Sequence, residues 1–418
     1  MRQSKLFTKT RKEAPADEVS KNAELLTRGG FIHKEMAGVY TYLPLGLRVL
    51  KKIEDIVREE MNAIGGQEIS MTALQDPEIW KKTDRWSDEK VDVWFKTKLK
   101  NDTEIGLGCT HEEPITNMMT NFISSYRDLP TFAYQFQTKF RNELRAKAGI
   151  LRGREFLMKD MYSFCKDETE HNEFYEKSKV AYMNVYKRVG LGHITYIVFS
   201  SGGMFSKYSH EFQTITSVGE DIIYLDENKG IAVNKEVLND EVLESLGLKR
   251  ENLVEHKAIE VGNIFTYGKR YSEPLNLTFT DEKGEKHPVF MGAYGIGLSR
   301  LMGTVVETLS DDKGIVWPES IAPFSVHLLQ LGEDENVSKE ANKIYDSLIG
   351  AGVEVLFDDR LDLSAGEKFS DADLLGIPFR AVVSMRSLKE NGIELKKRTE
   401  EKGKIVTLQE LIEIVSKK

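Results

Sequence analysis

The sequence predicts an α+β protein with two domains, a larger one on an antiparallel or mixed sheet and a smaller α/β domain after it. In the larger part, residues 104–165 alternate short apolar runs with charged turns, and a helical pattern follows at 171–190. Strands separated by long helices are typical of α+β domains. Beyond residue 324, strand and helix patterns alternate one by one, which predicts the small α/β domain. The 418 residues suffice for two or three domains.

Composition and charge are those of an ordinary globular protein. Apolar residues make up 40% and charged residues 30% of the chain, which excludes a disordered or fibrous class. Cys109 and Cys165 cannot form a disulfide framework, so we expect a reducing cytoplasm. The basic start lacks the apolar stretch of a signal peptide and no run could cross a bilayer, so no membrane association is expected. The net charge of −9 argues only weakly against RNA, because a local basic face can bind it.

The first elements follow from local patterns. Residues 1 to about 20 are predicted to be a polar arm, and a strand is predicted to end near Tyr42. Apolar residues at helical spacing from Val49 to Ile64 then predict a long amphipathic helix, which Gly65 and Gly66 end. Next come a predicted strand in QEISMTALQ and a loop or helix in DPEIWKKTDRW.

A basic segment at 140–160 carries the first chemical signal. Arg141 and Glu143 are two apart, so on a strand they would face the same ligand, although a structural salt bridge is the more common use of such a pair. The following loop adds cations and ends in an aromatic ring, which suits a polyphosphate with a flat base, and RNA alone could also use it. The loop residues are Arg145, Lys147, Arg152, Arg154 and Phe156.

The later elements include one glycine-rich turn. Residues 225–258 are polar and helix-forming, and predict a surface excursion without a strong core. The segment 289–307 predicts a strand that passes through a Gly-rich turn at Gly292, Gly295 and Gly297 into a helix with Arg300 at its start. Such turns are common packing devices, and this one matches neither a phosphate loop nor a dinucleotide fingerprint. WPESIAPF at 317–324 is predicted to be a linker.

These segments together resemble one enzyme family. FRNE with its loop and the RxxxF of 152–156 resemble motif 2 of class II aminoacyl-tRNA synthetases, and GIGLSR resembles motif 3. Further segments resemble the bacterial prolyl-tRNA synthetases, in the family's order: THEE at 110–113, REFLMKDMYSF at 154–164, SHEFQ at 209–213, EVGNIF at 260–265, YGIG at 294–297 and GIVWPESIAPF at 314–324.

The resemblance implies the domain plan and the activity. It implies a class II catalytic domain over 1–322 on an antiparallel sheet flanked by helices, and a C-terminal α/β anticodon-binding domain over 323–418. Motif 1 would span about 38–75, motif 2 about 136–164 and motif 3 about 289–307. Such an enzyme activates L-proline with ATP and Mg²⁺ to prolyl-adenylate and transfers it to the 3′ end of tRNA(Pro), usually as a homodimer.

The resemblance also implies a role for each site residue. Arg141 would bind the α-phosphate and the substrate carboxylate, and Arg300 the γ-phosphate. The remaining ATP contacts would come from Glu143, Arg152, Phe156, Glu260 and Asn263. Thr110 and Glu112 would hold the imino group of proline, with Glu211 and Phe265 completing the pocket.

Cys109 and His111 also raise the alternative of a zinc site. Cys109 and His111 stand beside two acids, but no second Cys or His cluster completes four ligands, so no zinc is expected.

The C-terminal domain supplies candidates for RNA contact. VLFDDR at 355–360 and GEKFSDADLLGIP at 366–378 match the prolyl subgroup. The candidate tRNA-facing cations are Lys368, Arg386, Lys396 and Arg398. A solvated charged face is an equally good interpretation for each of them.

The chain departs from the family pattern in four places. Thr72 replaces the usual proline of motif 1, which builds the dimer interface, Cys109 replaces a proline, and Asn263 replaces a histidine. Only 221–258 stands where bacterial relatives insert a hydrolytic editing domain, and it is too short for a core of its own. We therefore expect no cis editing of alanyl-tRNA(Pro), and a separate deacylase as partner.

Two rival hypotheses remain. A histidyl enzyme would have its own substrate motif and a threonyl enzyme zinc ligands, and neither is found in the sequence. A non-catalytic paralogue that binds RNA or regulates would be expected to lose a phosphate-binding arginine, whereas Arg141 and Arg300 are both present.

Overall fold

The computed structural model describes residues 1–13, 20–144, 146, 148–202 and 208–416. Arg145 and Lys147 of the basic loop, and part of the expected N-terminal arm, lie outside the described residues. The helices are α1 Lys21–Arg28, α2 Pro44–Ala63, α3 Pro77–Lys81, α4 Glu112–Met119, α5 Glu168–Arg188, α6 Asp240–Ser245, α7 Leu298–Thr308, α8 Glu335–Gly350, α9 Ala365–Leu375, α10 Met385–Lys389 and α11 Leu408–Val415.

The strands, in chain order, are β1 Ile32–Met36, β2 Val39–Tyr42, β3 Gln67–Glu68, β4 Leu74–Gln75, β5 Phe95–Lys98, β6 Glu104–Leu107, β7 Thr131–Phe140, β8 Glu155–Cys165, β9 Thr195–Ser201, β10 Tyr208–Ile215, β11 Asp221–Asp226, β12 Ile231–Asn234, β13 Leu253–Gly268, β14 Thr278–Thr280, β15 Lys286–Pro288, β16 Phe290–Gly297, β17 Ser310–Asp311, β18 Gly314–Ile315, β19 Val326–Gln330, β20 Val355–Asp358, β21 Phe379–Val383, β22 Ile393–Lys397 and β23 Lys404–Val406. Within the described ranges, no helix is both long and apolar enough to cross a membrane.

The chain separates into two compact units. The first comprises Met1–Glu35, Tyr40–Ile53 and Val305–Lys418, and the second comprises Met36–Val39 and Glu54–Thr304. The predicted boundary between 322 and 323 follows sequence patterns rather than packing, and it stays a prediction.

The second unit is built on a nine-stranded sheet in the order β10-β9-β12-β11-β13-β16-β8-β7-β3. Its neighbours are antiparallel except for β3 with β7 and β9 with β12, so the sheet is mixed. Helix α5 packs on it through aromatic side chains: Phe174 stacks on Phe132 at 3.7 Å between ring centroids, and Tyr182 lies 4.8 Å from Phe212. The predicted α+β class with a helix after 165 is confirmed.

The expectation for residues 225–258 was wrong. Instead of a helical surface excursion, β11, β12 and the start of β13 join the central sheet, and β13 also pairs with β10. Ile223, Leu225, Ala232 and Ala258 pack with Val198, and a second cluster forms around Val233, Val242, Leu243 and Leu248. The alternation of β11 and β12 was hidden in the sequence by the charged turns between them.

The segment QEISMTALQ forms less strand than expected. It contains two short strands, β3 and β4, and they belong to different sheets. The preceding predictions are confirmed, because β2 ends at Tyr42 and α2 runs over Pro44–Ala63.

The first unit contains a five-stranded sheet in the order β20-β19-β21-β22-β23. Its strand and helix alternation from β19 to β21 is the one predicted. Helices α8 and α11 cover a core that includes Val337, Leu348, Val355, Phe357 and Leu411.

Two expectations about this unit were wrong. The described start of the chain is not an arm, because the backbone of Met1 exchanges hydrogen bonds with Val355 and Phe357 at 2.7 and 2.8 Å. The predicted linker at 317–324 is largely buried, with Trp317, Ile321 and Phe324 in the core. In both cases apolar or backbone contacts from distant parts of the chain override the local polar pattern.

Gly376 ends α9 and is required by its surroundings. Its φ of 68° is left-handed, and a Cβ there would lie 2.0 Å from the carbonyl oxygen of Ile315. Gly366, in the exposed first turn of the same helix, would place its Cβ in open space.

We expect Gly376→Ala to destabilise the protein by about 2 kcal/mol or more, because it adds left-handed strain to a backbone clash. Gly366→Ala is the matched control and should leave stability unchanged or raise it by up to about 1 kcal/mol. Thermal unfolding midpoints measure both. Equal midpoints for the two variants would contradict the assignment.

Candidate active site

One cavity of about 340 Å³ in the second unit collects the predicted site. Its walls come from β8, β10, β13 and β16 and from the loops around 110, 141–153 and 202. Every side chain expected to contact proline or ATP lines it, namely Thr110, Glu112, Arg141, Glu143, Arg152, Phe156, Glu211, Glu260, Asn263, Phe265 and Arg300. The two distant arginines therefore face the same cavity.

The floor of the cavity is one face of β8. Phe156, Met158, Asp160 and Tyr162 all line it, because alternate residues of a strand face the same side. On the neighbouring strand, Gly295 pairs with Asp160, and a Cβ on it would approach Met158 Sδ at 4.0 Å. Sequence reasoning found Phe156 only, although its spacing in steps of two would have indicated the other three.

The motif 2 residues lie just beyond a strand, not on one. The β7–β8 ladder ends at the pair Phe140 and Glu155, so Arg141 and Glu143 belong to the loop after it, and the expected strand geometry was wrong. Arg141 lies 5.3 Å from the centroid of the Phe156 ring, and its Nε donates to the carbonyl oxygen of Cys109 at 3.3 Å. These contacts hold the guanidinium above the ring on which a flat base could stack.

Two ion pairs form on the cavity wall, one at Arg152 and one at Arg300. Arg152 donates from Nη2 to Glu143 at 2.8 Å. Arg300, in the first turn of α7, donates from Nε to the carbonyl oxygen of Leu151 at 2.9 Å and lies 3.3 Å from Glu260 Oε2. These cations are held in place by protein groups and remain on the cavity wall, which suits phosphate binding.

A second wall carries buried oxygen atoms. Glu211 of β10 pairs in register with Asn263 of β13, and burial, followed by the charge of Glu260, raises the pKa of Glu211 to about 7. Gln213 Nε2 donates to Glu211 Oε2 at 2.8 Å. Asn263 Oδ1 is buried and accepts no hydrogen bond from any residue that the structure describes.

Thr110, Glu112 and Tyr267 form a compact acceptor at the other end. Thr110 Oγ1 lies 2.8 and 2.7 Å from the two carboxylate oxygens of Glu112, and the Tyr267 hydroxyl donates to Oε1 at 3.1 Å. Glu112 is the first residue of α4, where the helix dipole favours a negative charge. Tyr267 was missed, although it stands two residues after Phe265 on the same strand.

His111 is held by hydrogen bonds within the protein. Burial lowers its pKa to about 4, so the ring is neutral. Lys139 Nζ then donates to Nδ1 at 2.6 Å, and Nε2 donates to the carbonyl oxygen of Thr72 at 3.1 Å. Both ring nitrogens therefore have protein partners.

Two of the four RNA candidates in the first unit are internal, which corrects that expectation. Lys368 is 2% exposed and donates to the carbonyl oxygen of Gln330 at 2.7 Å. Arg398 makes a bidentate pair with Asp311 at 2.8 and 2.6 Å. Both cations are tied to acceptors far away in the sequence, which local charge pattern could not reveal. Arg386 is 83% exposed, and Lys396 is half-buried.

Comparisons with known families agree with this geometry. Residues 95–309 match the tRNA synthetase class II core domain (G, H, P, S and T), and residues 321–418 match the anticodon binding domain.

Relatives of known name match over almost the whole chain. The proline–tRNA ligase of Hyphomonas neptunium is 38% identical over 423 residues and covers 95% of each chain. That of Wolbachia pipientis wMel is 38% identical over 434 residues and covers 100% of each. The proline–tRNA ligase of Fervidobacterium nodosum is 34% identical over 565 aligned positions, which cover 100% of this chain and 98% of that one.

Solved structures agree in fold. The prolyl-tRNA synthetase of Cryptosporidium parvum, complexed with halofuginone and AMPPNP, has a TM-score of 0.78 at 17% identity, over 95% of this chain and 76% of that chain. The Giardia lamblia enzyme, in complex with prolyl-adenylate, has a TM-score of 0.77 at 17% identity, over 94% and 75%.

We expect Glu211→Gln to stabilise the protein increasingly as pH rises. The raised pKa of Glu211 means that its contribution to stability is complete below the ordinary pKa of 4.5 and is lost as pH rises through about 7. A glutamine keeps the acceptor for Gln213 and cannot ionise, so its advantage over glutamate should reach on the order of 2 kcal/mol at alkaline pH.

Unfolding midpoints in acidic and mildly alkaline buffer measure this difference. Glu173→Gln, at an exposed position of α5, is the control and should follow the unsubstituted protein. A constant difference between Glu211→Gln and the unsubstituted protein would contradict the assigned shift.

Proposed function

Because this chain belongs to the proline–tRNA ligase family of class II synthetases, we propose that its cavity joins L-proline and ATP into prolyl-adenylate and that the chain charges tRNA(Pro). The observation that supports this best is the single cavity that holds two arginines, an aromatic ring and the Thr110–Glu112 acceptor together. A nucleotide and a small amino acid with a charged ammonium group would fit side by side in such a cavity.

The chemistry needs charge stabilisation rather than a protein nucleophile. The carboxylate oxygen of proline attacks the α-phosphorus of ATP, and pyrophosphate leaves in line. Arg141, which lines the cavity, would neutralise the α-phosphate and orient the carboxylate, while Arg152 and Arg300 would hold the departing phosphates. The 3′ hydroxyl of the tRNA then attacks the activated carbonyl carbon, and AMP leaves.

Recognition of proline follows from its secondary ammonium group. This group has one positive charge and two N–H donors. The Glu112 carboxylate would take the charge and one donor, and the Thr110 hydroxyl oxygen would accept the other. Phe265 would complete the pocket, whereas Glu211 lies beside Asn263 on the second wall.

Mg²⁺ enters with ATP as part of the substrate and supplies charge neutralisation of the phosphates. Residues on the second wall fit such an ion, because Asn263 Oδ1 has no hydrogen-bond donor among the described residues and the raised pKa of Glu211 indicates a carboxylate without a counter-charge. Glu260 is a third oxygen donor there.

The chain's partners form part of the same proposal. We place tRNA(Pro) on the C-terminal domain, with Arg386 and Lys396 as accessible contacts. A homodimer through the motif 1 segment is supported by Leu74, which leaves 56% of its surface exposed in β4. The two buried free thiols are compatible with a cytoplasmic location.

Editing in cis is not expected. Residues 221–258 form β11, β12, helix α6 and the start of β13, and the alignment with the Fervidobacterium relative contains positions with no counterpart here. A cavity for proline excludes a smaller apolar amino acid by only about 1–3 kcal/mol per missing methylene. A separate deacylase would therefore act on alanyl-tRNA(Pro).

Proline-dependent exchange of pyrophosphate into ATP tests the activity. We expect exchange with proline, and Arg141→Ala should lower its rate by about 10²–10³-fold or more because the α-phosphate loses its cation. Arg127→Ala, which changes an arginine outside the cavity, is the control. Exchange driven by another amino acid in preference to proline, or normal exchange in Arg141→Ala, would contradict the proposal.

Incubation with preformed alanyl-tRNA(Pro) tests the editing statement. The purified protein should not raise the deacylation rate above that of buffer, since we expect no hydrolytic editing domain in this chain. Rapid deacylation that depends on the protein would overturn this expectation.

A further inference from the structure

Arg85 lies behind the proline end of the cavity and is buried with only 5% exposed. It follows α3 and does not line the cavity. Its Nη1 lies 2.8 and 3.0 Å from the two carboxylate oxygens of Glu113, 3.5 Å from Glu112 Oε2, and donates to the Tyr271 hydroxyl at 2.9 Å. One guanidinium therefore forms ion pairs with two adjacent carboxylates.

The negative charges of these two buried carboxylates repel each other. Glu112 is 4% exposed and Glu113 is fully buried, and they are neighbours at the start of α4. Burial, followed by the charge of Glu112, raises the pKa of Glu113 to about 7 even with Arg85 present. Without Arg85, no cation among the described residues would offset this repulsion at Glu113.

The other titratable groups around Glu112 do not replace this charge. Lys139, on β7, pairs with Asp160 at 2.8 Å, and His111 is neutral. Arg141 is directed at the carbonyl oxygen of Cys109. The remaining neighbours are neutral thiol and phenol groups, whose pKa values burial raises: Cys109, Tyr162, Tyr267 and Tyr271.

We propose that Arg85 is a positioning residue for substrate recognition, which offsets the charge of Glu113 and orients Glu112 so that the buried cluster accepts one ammonium group. This inference rests on the proposed function, in which Glu112 binds the imino group of proline. Arg85 offsets the charge of Glu113, so the negative charge of one carboxylate remains for the substrate. A secondary ammonium neutralises it, so the cluster matches a cationic amine and disfavours a neutral one.

The cluster also fixes where the carboxylate points. Glu113 does not line the cavity: Thr83 Oγ1 and Arg85 Nη1 both donate to its Oε1 at 2.8 Å, and Arg85 Nη1 also reaches its Oε2 at 3.0 Å. Glu112 is turned towards the cavity, where Thr110 and Tyr267 donate to it. In this arrangement Glu113 binds the guanidinium of Arg85, and Glu112 contacts the substrate.

Steady-state exchange kinetics with Arg85→Met test the inference. At about pH 7 we expect KM for proline to rise by about tenfold or more while KM for ATP stays within about twofold, since only the carboxylate that meets proline is affected. Arg85→Lys should restore part of the affinity.

A double variant separates charge from packing. Arg85→Met with Glu113→Gln removes one charge of each sign, leaves Glu112 as the remaining acid of the pair, and should bring KM for proline back towards normal. Lys81→Met, which removes an exposed cation four residues away, is the control. A purely structural role would instead raise both KM values or lower kcat, without rescue by the double variant, and that result would overturn the inference.

The two proposals fail in different ways. Absence of proline-dependent exchange in the unsubstituted protein would contradict the proposed function itself. Normal exchange there, together with an unchanged proline KM in Arg85→Met, would contradict the role of Arg85 alone.

Discussion

The pairing of β8 between β7 and β16 is the constraint on which the site depends. It gives β8 two faces of different character. One face carries Phe156, Asp160 and Tyr162 into the cavity, while the other turns Lys159 inwards, where its ammonium group donates to the Tyr182 hydroxyl at 2.6 Å. A slip of one residue would exchange the two faces and bury the cavity side chains. Both flanking ladders hold this register over most of the strand, so the positions of Arg141 at one end and of Gly295 beside it are fixed together.

Much of the site could be predicted because short stretches of chain carry it. THEE, FRNE and GIGLSR each place their functional residues within a few positions, so spacing and resemblance were sufficient to name them. Met158 and Tyr267 were missed because neither has a chemical signature, and they face the cavity only through the alternation of their strands. Arg85 was missed for a different reason. Its partners Glu113 and Tyr271 are 28 and 186 residues away, and only the folded chain brings them together.

The errors about the fold have the same origin. Residues 225–258 were expected to be helical because their charged turns dominate a local window, but Leu225, Ala232 and Ala258 of this stretch pack with Val198. Lys368 and Arg398 were expected to face RNA, yet each is held by an internal acceptor. Charged residues are seldom buried unless paired, and their partners here are distant in sequence, so composition alone suggested solvent exposure.

The pairing of β11 with β13 connects the region before motif 3 to the cavity. Asp221 of β11 pairs with Ala258, only two residues before Glu260, whose carboxylate contacts Arg300. Any extra domain inserted between β11 and β13 would be attached to the strand that positions Glu260 beside Arg300. Movements of such a domain would be transmitted along β13 to Glu260 and Arg300. The short connections between β11 and β13 in this chain do not transmit such movements.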